Sequence, residues 1–372
     1  MYGGKTSLEE FIFGKEKENA MRKKLLESRT YEEARKIGVQ RILDGIAVFD
    51  KYAVREKNGK ESFFITRNCP FCGESIYKEE TKFQDRWGVA RCTRCHSLYV
   101  NPCPTQEVLD DYYNNYECNM MLEDIYAKRA EKEKNVILDE RVETILKYVE
   151  KIPRDEIYIL DVGCSNGSFL ARINARFNEL SIPKELHLFG VDVNENAIVR
   201  SVDPSLKLTC CTIEEYLERK ESGFDIVWHS ELVEHLVDPY TVFVQLNDAI
   251  REGGFMIFTT PNDYSLEMEN LSYNIPRPLA CNILPPMHLN AFSTINTPLI
   301  ALRTGFCIED IQTPGNFDVE LLEIDRGHVK SEFLKRLAQL NEEEKEFIQN
   351  VIVASHGSSH LQCVLSKPIK QH

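Results

Sequence analysis

Three stretches of this 372-residue chain hold residues whose types and spacing could do chemistry. In the first, the apolar run Ile157-Tyr158-Ile159-Leu160 passes through Asp161 into Gly163-Cys164-Ser165-Asn166-Gly167. Glycines at such a turn let backbone approach a ligand where a Cβ would intrude, and Asn166 to Ser168 can cap the helix that Phe169 begins. As a Gly-x-Gly-x-x-Gly dinucleotide fingerprint the turn is incomplete, with Ser165 and Ser168 at two glycine positions. As Gly-x-Ser-x-Gly it would present Ser165 as a hydrolase nucleophile. The second stretch is Glu231-Leu232-Val233-Glu234-His235. On a helix, positions i, i+3 and i+4 share a face, so two carboxylates and an imidazole would converge as a proton-transfer set or a site for Mg2+ or Mn2+. The zinc-protease pattern His-Glu-x-x-His is excluded because position 231 is Glu. The third stretch pairs Cys69-Pro70-Phe71-Cys72 with Cys92-Thr93-Arg94-Cys95, and 19 residues separate Cys72 from Cys92. That spacing predicts one tetrahedral zinc bound by four thiolates, with a hairpin over the intervening Lys78 to Ala90.

The residues beyond the glycine turn favour a cofactor cradle over a nucleophile. The next apolar run, Leu186 to Asn194, contains Asp192 near its end, 29 positions after Gly163, where a ribose diol expects its carboxylate. With that pairing the segment resembles motif I and the second-strand acid of class I S-adenosylmethionine (SAM) methyltransferases. The resemblance continues through Phe224-Asp225-Ile226-Val227-Trp228-His229 and Gly253 to Asn262, in the order of the family's fourth and fifth strands. It implies an α/β fold with a Rossmann-like seven-stranded sheet whose last strand runs antiparallel. It also implies an enzyme that aligns nucleophile, methyl carbon and sulfur.

On that resemblance Gly163, Ser165, Asn166 and Gly167 lie along the methionine and ribose of SAM, and Asp161 organises the loop. Asp192, with Val193 beside it, accepts from the ribose hydroxyls. Thr212 and Ile213 fall at the adenine, and His229 is counted on the cofactor side. Glu-x-x-Glu-His is similar to two magnesium-using groups, the O-methyltransferases of ubiquinone biosynthesis and the small-RNA 3′-terminal 2′-O-methyltransferases. In the latter a later histidine completes the site, and Met287-His288-Leu289-Asn290 supplies its counterpart. The implied ligand set for Mg2+ or Mn2+ is Glu231, Glu234, His235 and His288; without a metal, His288, with His235 and Glu234, is the catalytic group. Together with the cysteine pairs, residues 63 to 367 look like zinc-ribbon-bearing methyltransferases of surface-polysaccharide and natural-product sugars. The expected reaction is O-methylation of a sugar or other small hydroxylated metabolite. An RNA 2′-O-methyltransferase and a non-catalytic SAM-binding partner stay open.

Composition narrows the acceptor. Asp plus Glu total 59 against 45 Lys plus Arg, and a net charge of −14 disfavours long-range attraction to nucleic acid and leaves a small-molecule or glycan acceptor. Lys15 to Lys24 is densely charged and no eighteen apolar residues run together, so a cytoplasmic protein without a membrane span is expected, its twelve cysteines reduced. The elements that must position the chemistry read as a helical arm over 1–62, a zinc ribbon over 63–104, a helical connector over 105–155 and a methyltransferase domain over 156–372. In the arm, Leu8, Phe11 and Ile12, then Ile37, Ile42, Leu43 and Ile46, carry helical periodicity. Strands are predicted near 157–162, 186–193, 206–212, 224–229, 254–259, 305–312 and 359–366. Two inserts interrupt the last domain: 263–297, with Pro276, Pro278, Pro285 and Pro286, and a helical, charged 316–356.

Overall fold

Alternation of apolar strands with amphipathic helices from residue 156 onward builds one mixed sheet in the computed structural model, which describes residues 31–116, 118, 131–219, 223–266, 268, 282–315, 318–319, 322, 329 and 331–370. The chain begins with α1 (Tyr31–Asn58), so the expected helicity of the arm holds over its second half, while Leu8, Phe11 and Ile12 lie outside the described residues. A small β unit comes next: β1 (Phe64–Ile65), β2 (Tyr77–Phe83), β3 (Trp87–Cys92), β4 (Leu98–Val100) and β5 (Cys103–Pro104). β2 and β3 form the expected hairpin, turned by Gln84 and Asp85 at positive φ. Helices α2 (Gln106–Asn115) and α3 (Glu131–Val149) connect to the sheet.

The sheet itself contains β6 (Glu156–Val162), β7 (Glu185–Asp192), β8 (Lys207–Cys210), β9 (Phe224–Ser230), β10 (Ile250–Pro261), β11 (Cys307–Gln312) and β12 (His360–Ser366). Its spatial order is β11-β12-β10-β9-β6-β7-β8, parallel from β10 to β8, with β12 antiparallel to both neighbours. All seven expected strands are present, and the antiparallel last strand is where it was expected. Between them run α4 (Ser168–Glu179), α5 (Glu195–Val199), α6 (Ile213–Glu218), α7 (Pro239–Ala249), α8 (Thr297–Arg303), α9 (Glu332–Leu337) and α10 (Glu342–Ala354).

Strand alternation sends Ile157, Ile159, Ile226, Trp228 and Ile257 to one face, against Val142 and Ile145 of α3 and Leu170 and Ile173 of α4. Leu160, Val162, Val227, Met256 and Phe258 point to the other face, against Val242, Phe243 and Leu246 of α7. That second core does not stop at the sheet: Cys69, Phe71, Cys92 and Tyr99 of the cysteine unit belong to it. A further core joins α1 (Ile42, Val48, Tyr52), the β unit (Trp87, Val89, Val100), α2 (Val108, Leu109, Tyr112) and residues 283–291 of the proline-rich insert.

Backbone pairing tightens this joint. Val100 N–H donates to the Leu289 carbonyl (2.8 Å) and Ala291 N–H to that of Leu98 (3.1 Å), so the insert extends the ribbon sheet. Arg67 then spans three segments: Nε donates to the Val100 carbonyl (3.2 Å), Nη1 to Val237 (2.7 Å) and Nη2 to Leu289 (3.0 Å). A planar guanidinium is the side chain able to satisfy three differently directed carbonyls at once. Replacing it leaves them without donors, so Arg67→Leu should lose roughly 2–4 kcal/mol in a denaturant titration, and Arg67→Lys should recover only part of that. An unchanged midpoint for Arg67→Leu would show that the three segments hold together without the fork.

Candidate active site

Strand order reverses between β6 and β9, and in open α/β sheets ligands bind off the carboxyl ends at that point. The glycine turn occupies this place. Gly163 leaves β6 at φ +81 and its N–H donates to the Val191 carbonyl (2.8 Å); a Cβ built there meets no atom within 4 Å. The backbone is thus held on one side and open on the other, as a cofactor cradle requires. Ser165 is exposed, with φ +50, and its N–H donates to Asp192 Oδ2 (2.8 Å), while Oδ1 of the same carboxylate accepts from Asn194 N–H (2.8 Å). Asp192 therefore ties the turn to the end of β7, and each oxygen keeps a lone pair for a further donor. Asn166 Oδ1 accepts from Ser168 N–H (3.3 Å) and Oγ (2.6 Å), which covers the start of α4 behind Gly167, itself at φ +79.

The other residues placed on the cofactor side by sequence divide. Val193 is 70% exposed at the rim. Thr212 closes a capping box with Glu215 at the start of α6, and Ile213 is buried in the core, so both side chains are committed locally. His229 is fully buried and stacked on Phe258 (4.9 Å between ring centroids), with no hydrogen-bond partner on either nitrogen. Burial pushes its pKa down to about 3, so it is a neutral ring inside the sheet layer. Asp161 is buried below the turn. Its pKa rises to about 8, first through burial and then through the charge of Asp192, with Arg141 opposing.

The Glu-x-x-Glu-His segment is not a helix. Glu231 stands at φ +53, its N–H donating to the Thr259 carbonyl (2.9 Å), and a three-residue turn closes from His235 N–H to the Leu232 carbonyl (3.0 Å). The reason lies in the neighbouring strand: Thr259 extends the β9–β10 ladder to Glu231, and the chain must bend sharply before Asp238 caps α7. This bend separates the two carboxylates. Glu231 Oε1 accepts from Thr259 Oγ1 (3.0 Å) and lies 3.6 Å from His360 Nε2, whereas Glu234 is buried and its Oε2 accepts from Thr260 Oγ1 (2.9 Å).

Glu234, His235 and His288 do converge, with one ligand atom from each all within 4.8 Å of one another; Glu231 is not in that cluster. His235 and His288 sit edge to face at 4.8 Å, and Glu234 Oε1, 3.7 Å from His235 Nε2, has no hydrogen-bond partner. Burial, then the charge of Glu231, holds the Glu234 carboxyl well above its usual range. Burial, then the nearby His288 and Arg41, holds His235 well below its own. His288 arrives through the insert: a tight turn pairs its backbone with Leu284, and Leu289 and Asn290 N–H both donate to the Glu234 carbonyl (2.7 and 3.1 Å). The Asn290 amide donates to the Leu236 carbonyl (2.7 Å).

One residue at this site carried no sequence signal. Tyr113 on α2 places its hydroxyl 2.9 Å from His235 Nδ1, across 122 residues of chain. This residue is itself 38% exposed, so the phenol reaches His235 from the solvent side.

The four knuckle cysteines form the second cluster of metal-ligating atoms. Cys69 and Cys95 Sγ are 3.5 Å apart, as are those of Cys72 and Cys92, close to the roughly 3.8 Å edge of a tetrahedron with Zn–S bonds of about 2.3 Å. Arg94 and Cys95 N–H both point at Cys92 Sγ (3.4 Å), as donors to a thiolate would. The set fits zinc.

Residues 132–293 match a family model described as a methyltransferase domain. With the sheet order above, that stretch is a methyltransferase domain, with a four-cysteine unit on its N-terminal side. Among curated relatives it is 30% identical over 119 residues to the ubiquinone biosynthesis O-methyltransferase of Maricaulis maris, covering 30% of this chain and 42% of that one. It is 31% identical over 142 residues to the mitochondrial ubiquinone biosynthesis O-methyltransferase of Homo sapiens, covering 35% and 36%. The matched stretch thus spans less than half of either relative. A solved SAM-dependent methyltransferase from Archaeoglobus fulgidus aligns over 62% of this chain and 94% of its own, at 18% identity and a TM-score of 0.38. No helix among the described residues is long and apolar enough to cross a membrane.

Asp161 supplies a test of the cradle. A carboxyl whose folded pKa is raised from 3.8 to about 8 favours the fold below pH 3.8, and that advantage is lost progressively as pH rises to about 8. Asn carries no such loss. In cofactor-free protein the melting temperature of Asp161→Asn should gain on wild type between pH 5 and pH 8, then keep a constant lead. A lead that stays flat from pH 5 to pH 8 would mean Asp161 is ionised in the fold.

Proposed function

We propose that the protein transfers a methyl group from SAM to a hydroxyl of a small hydroxylated metabolite, a sugar being the leading class, with Glu234, His235 and His288 as the group that handles the hydroxyl proton. The observation that carries this is the convergence of a buried carboxyl and two imidazoles off the carboxyl end of β9, the strand beside the glycine turn. When bound, SAM supplies a methyl already activated by its sulfonium. The chain's part is alignment and proton removal. Asp192, Ser165 and Gly163 would hold the ribose and methionine end along the turn, and Asp161 supports the turn from below. His235, neutral and steadied at Nδ1 by Tyr113, offers a base at Nε2 beside His288. The O-methyltransferase names of the curated relatives favour oxygen as the acceptor atom.

The unpartnered Glu234 Oε1 favours a divalent cation in the same place. One carboxylate and two imidazoles, without Glu231, form a mixed oxygen and nitrogen set that suits Mn2+ better than Mg2+. Such an ion, held by Glu234, His235 and His288, would lower the pKa of a bound hydroxyl. The cysteine cluster is a separate, structural zinc site in this reading.

Labelled methyl transfer from SAM into pools of sugars, nucleotide sugars, phenols and RNA tests the acceptor; label confined to RNA overturns the proposal. His288→Ala and Glu234→Gln should each lower kcat by roughly 100-fold or more, with SAM affinity unchanged. Wild-type turnover in both would remove the cluster from the reaction. Chelation should abolish turnover and Mn2+ restore it more effectively than Mg2+, with about one zinc per chain retained throughout.

A further inference from the structure

Arg41, on α1, is not a member of the sheet domain, yet its charge acts on His235 of the cluster. Helix α1 is pinned to α2 by Lys51 to Asp111 (2.7 Å) and Arg55 to Glu107 (2.8 Å), and to the ribbon by Trp87 Nε1, which donates to the Gly45 carbonyl (3.2 Å). Positions 41, 45, 48 and 52 share one helix face, and Gly45, Val48 and Tyr52 are buried there. At Gly45 a Cβ would lie 3.0 Å from the Pro285 carbonyl, so this face rests on the turn that delivers His288. One helical turn before Gly45, Arg41 is carried to the same place. Its charge is felt by Tyr112, Tyr113 and His235, which fits that location.

Among the described residues no side chain forms an ion pair or hydrogen bond with its guanidinium. Arg41 Nε is buried without a hydrogen-bond partner, alone among arginine nitrogens of the described residues. Asp44, the acid one turn away, already accepts from Gln40 Nε2 and Cys118 N–H (2.8 Å each). In a chain with 59 acidic and 45 basic side chains, a partly buried arginine without a carboxylate among the described residues is free to meet an external anion.

We propose that Arg41 binds an anionic group of the acceptor, a carboxylate or a phosphate, and so holds the neighbouring hydroxyl at Glu234, His235 and His288. This rests on the methyl-transfer reading for the word acceptor, and the acceptor is then an acidic hydroxylated metabolite. A guanidinium that meets the anion in two parallel hydrogen bonds also fixes the direction in which the hydroxyl is presented.

The test compares wild type with Arg41→Gln, each loaded with SAM, on matched probes: glucuronate and glucose 6-phosphate against glucose, and 3,4-dihydroxybenzoate against catechol. Binding and labelled methyl transfer are both measured. Wild type should favour at least one acidic probe over its neutral partner by roughly 10- to 100-fold. In Arg41→Gln that ratio should fall to about one, with SAM affinity unchanged and Arg41→Lys intermediate. Preference for glucuronate or dihydroxybenzoate identifies a carboxylate, preference for glucose 6-phosphate a phosphate. Equal binding of acidic and neutral probes by wild type, no measurable binding of any, or a ratio that survives in Arg41→Gln overturns the proposal. Acid preference that disappears in Arg41→Gln without any methylation would sustain the anion site and count against the transferase reading. Methylation with no acid preference would do the reverse.

Discussion

The Arg67 guanidinium, set across the carbonyls of Val100, Val237 and Leu289, is the interaction on which the geometry of this protein depends. It links β4, the exit of the Glu234-His235 turn and the residue after His288. Those segments are far apart in sequence, and the latter two lie outside helices and strands. Backbone pairing of 289–291 with β4, and of Leu289 and Asn290 with the Glu234 carbonyl, completes the joint. The four-cysteine unit is thereby part of the framework of the site, since its strand is what the His288 segment pairs against.

That joint also sets the site's electrostatics. Holding the insert closely over the turn buries Glu234 and His288 almost completely, and burial drives Glu234 and His235 toward their neutral forms. A neutral imidazole is a base or a metal ligand; a charged one is neither. The same enclosure brings Tyr113 onto His235 and Arg41 toward it, both from helices that precede the family-matched stretch of 132–293. The sheet thus supplies the glycine turn and the Glu234-His235 turn, and the N-terminal elements pack against the latter.

Most of the sheet was legible in sequence because its signals are local. Short apolar strands, glycines at forced turns and an acid near the end of the second strand each leave a mark that no distant residue must complete. The cysteine pairs were legible for the same reason. The Glu-x-x-Glu-His segment was misread as a helix because its spacing satisfies helical periodicity. The backbone bond from Glu231 to Thr259, which decides otherwise, is invisible to spacing. That error also gave Glu231 to the cluster, whereas its carboxylate belongs with Thr259 and His360.

By itself the sequence determined the sheet domain, the glycine turn at its switch point with Asp192 beside it, the four-cysteine cluster and the identity of Glu234, His235 and His288 as groups able to meet. Periodicity and motif spacing are properties of contiguous residues, and these features are contiguous or nearly so. Only the tertiary structure decided that Glu231 stands apart, that His229 is enclosed in the sheet layer, and that Arg67 and Tyr113 brace the site. Each of those outcomes depends on contacts across tens to hundreds of residues, set by how helices and strands pack once apolar faces are buried.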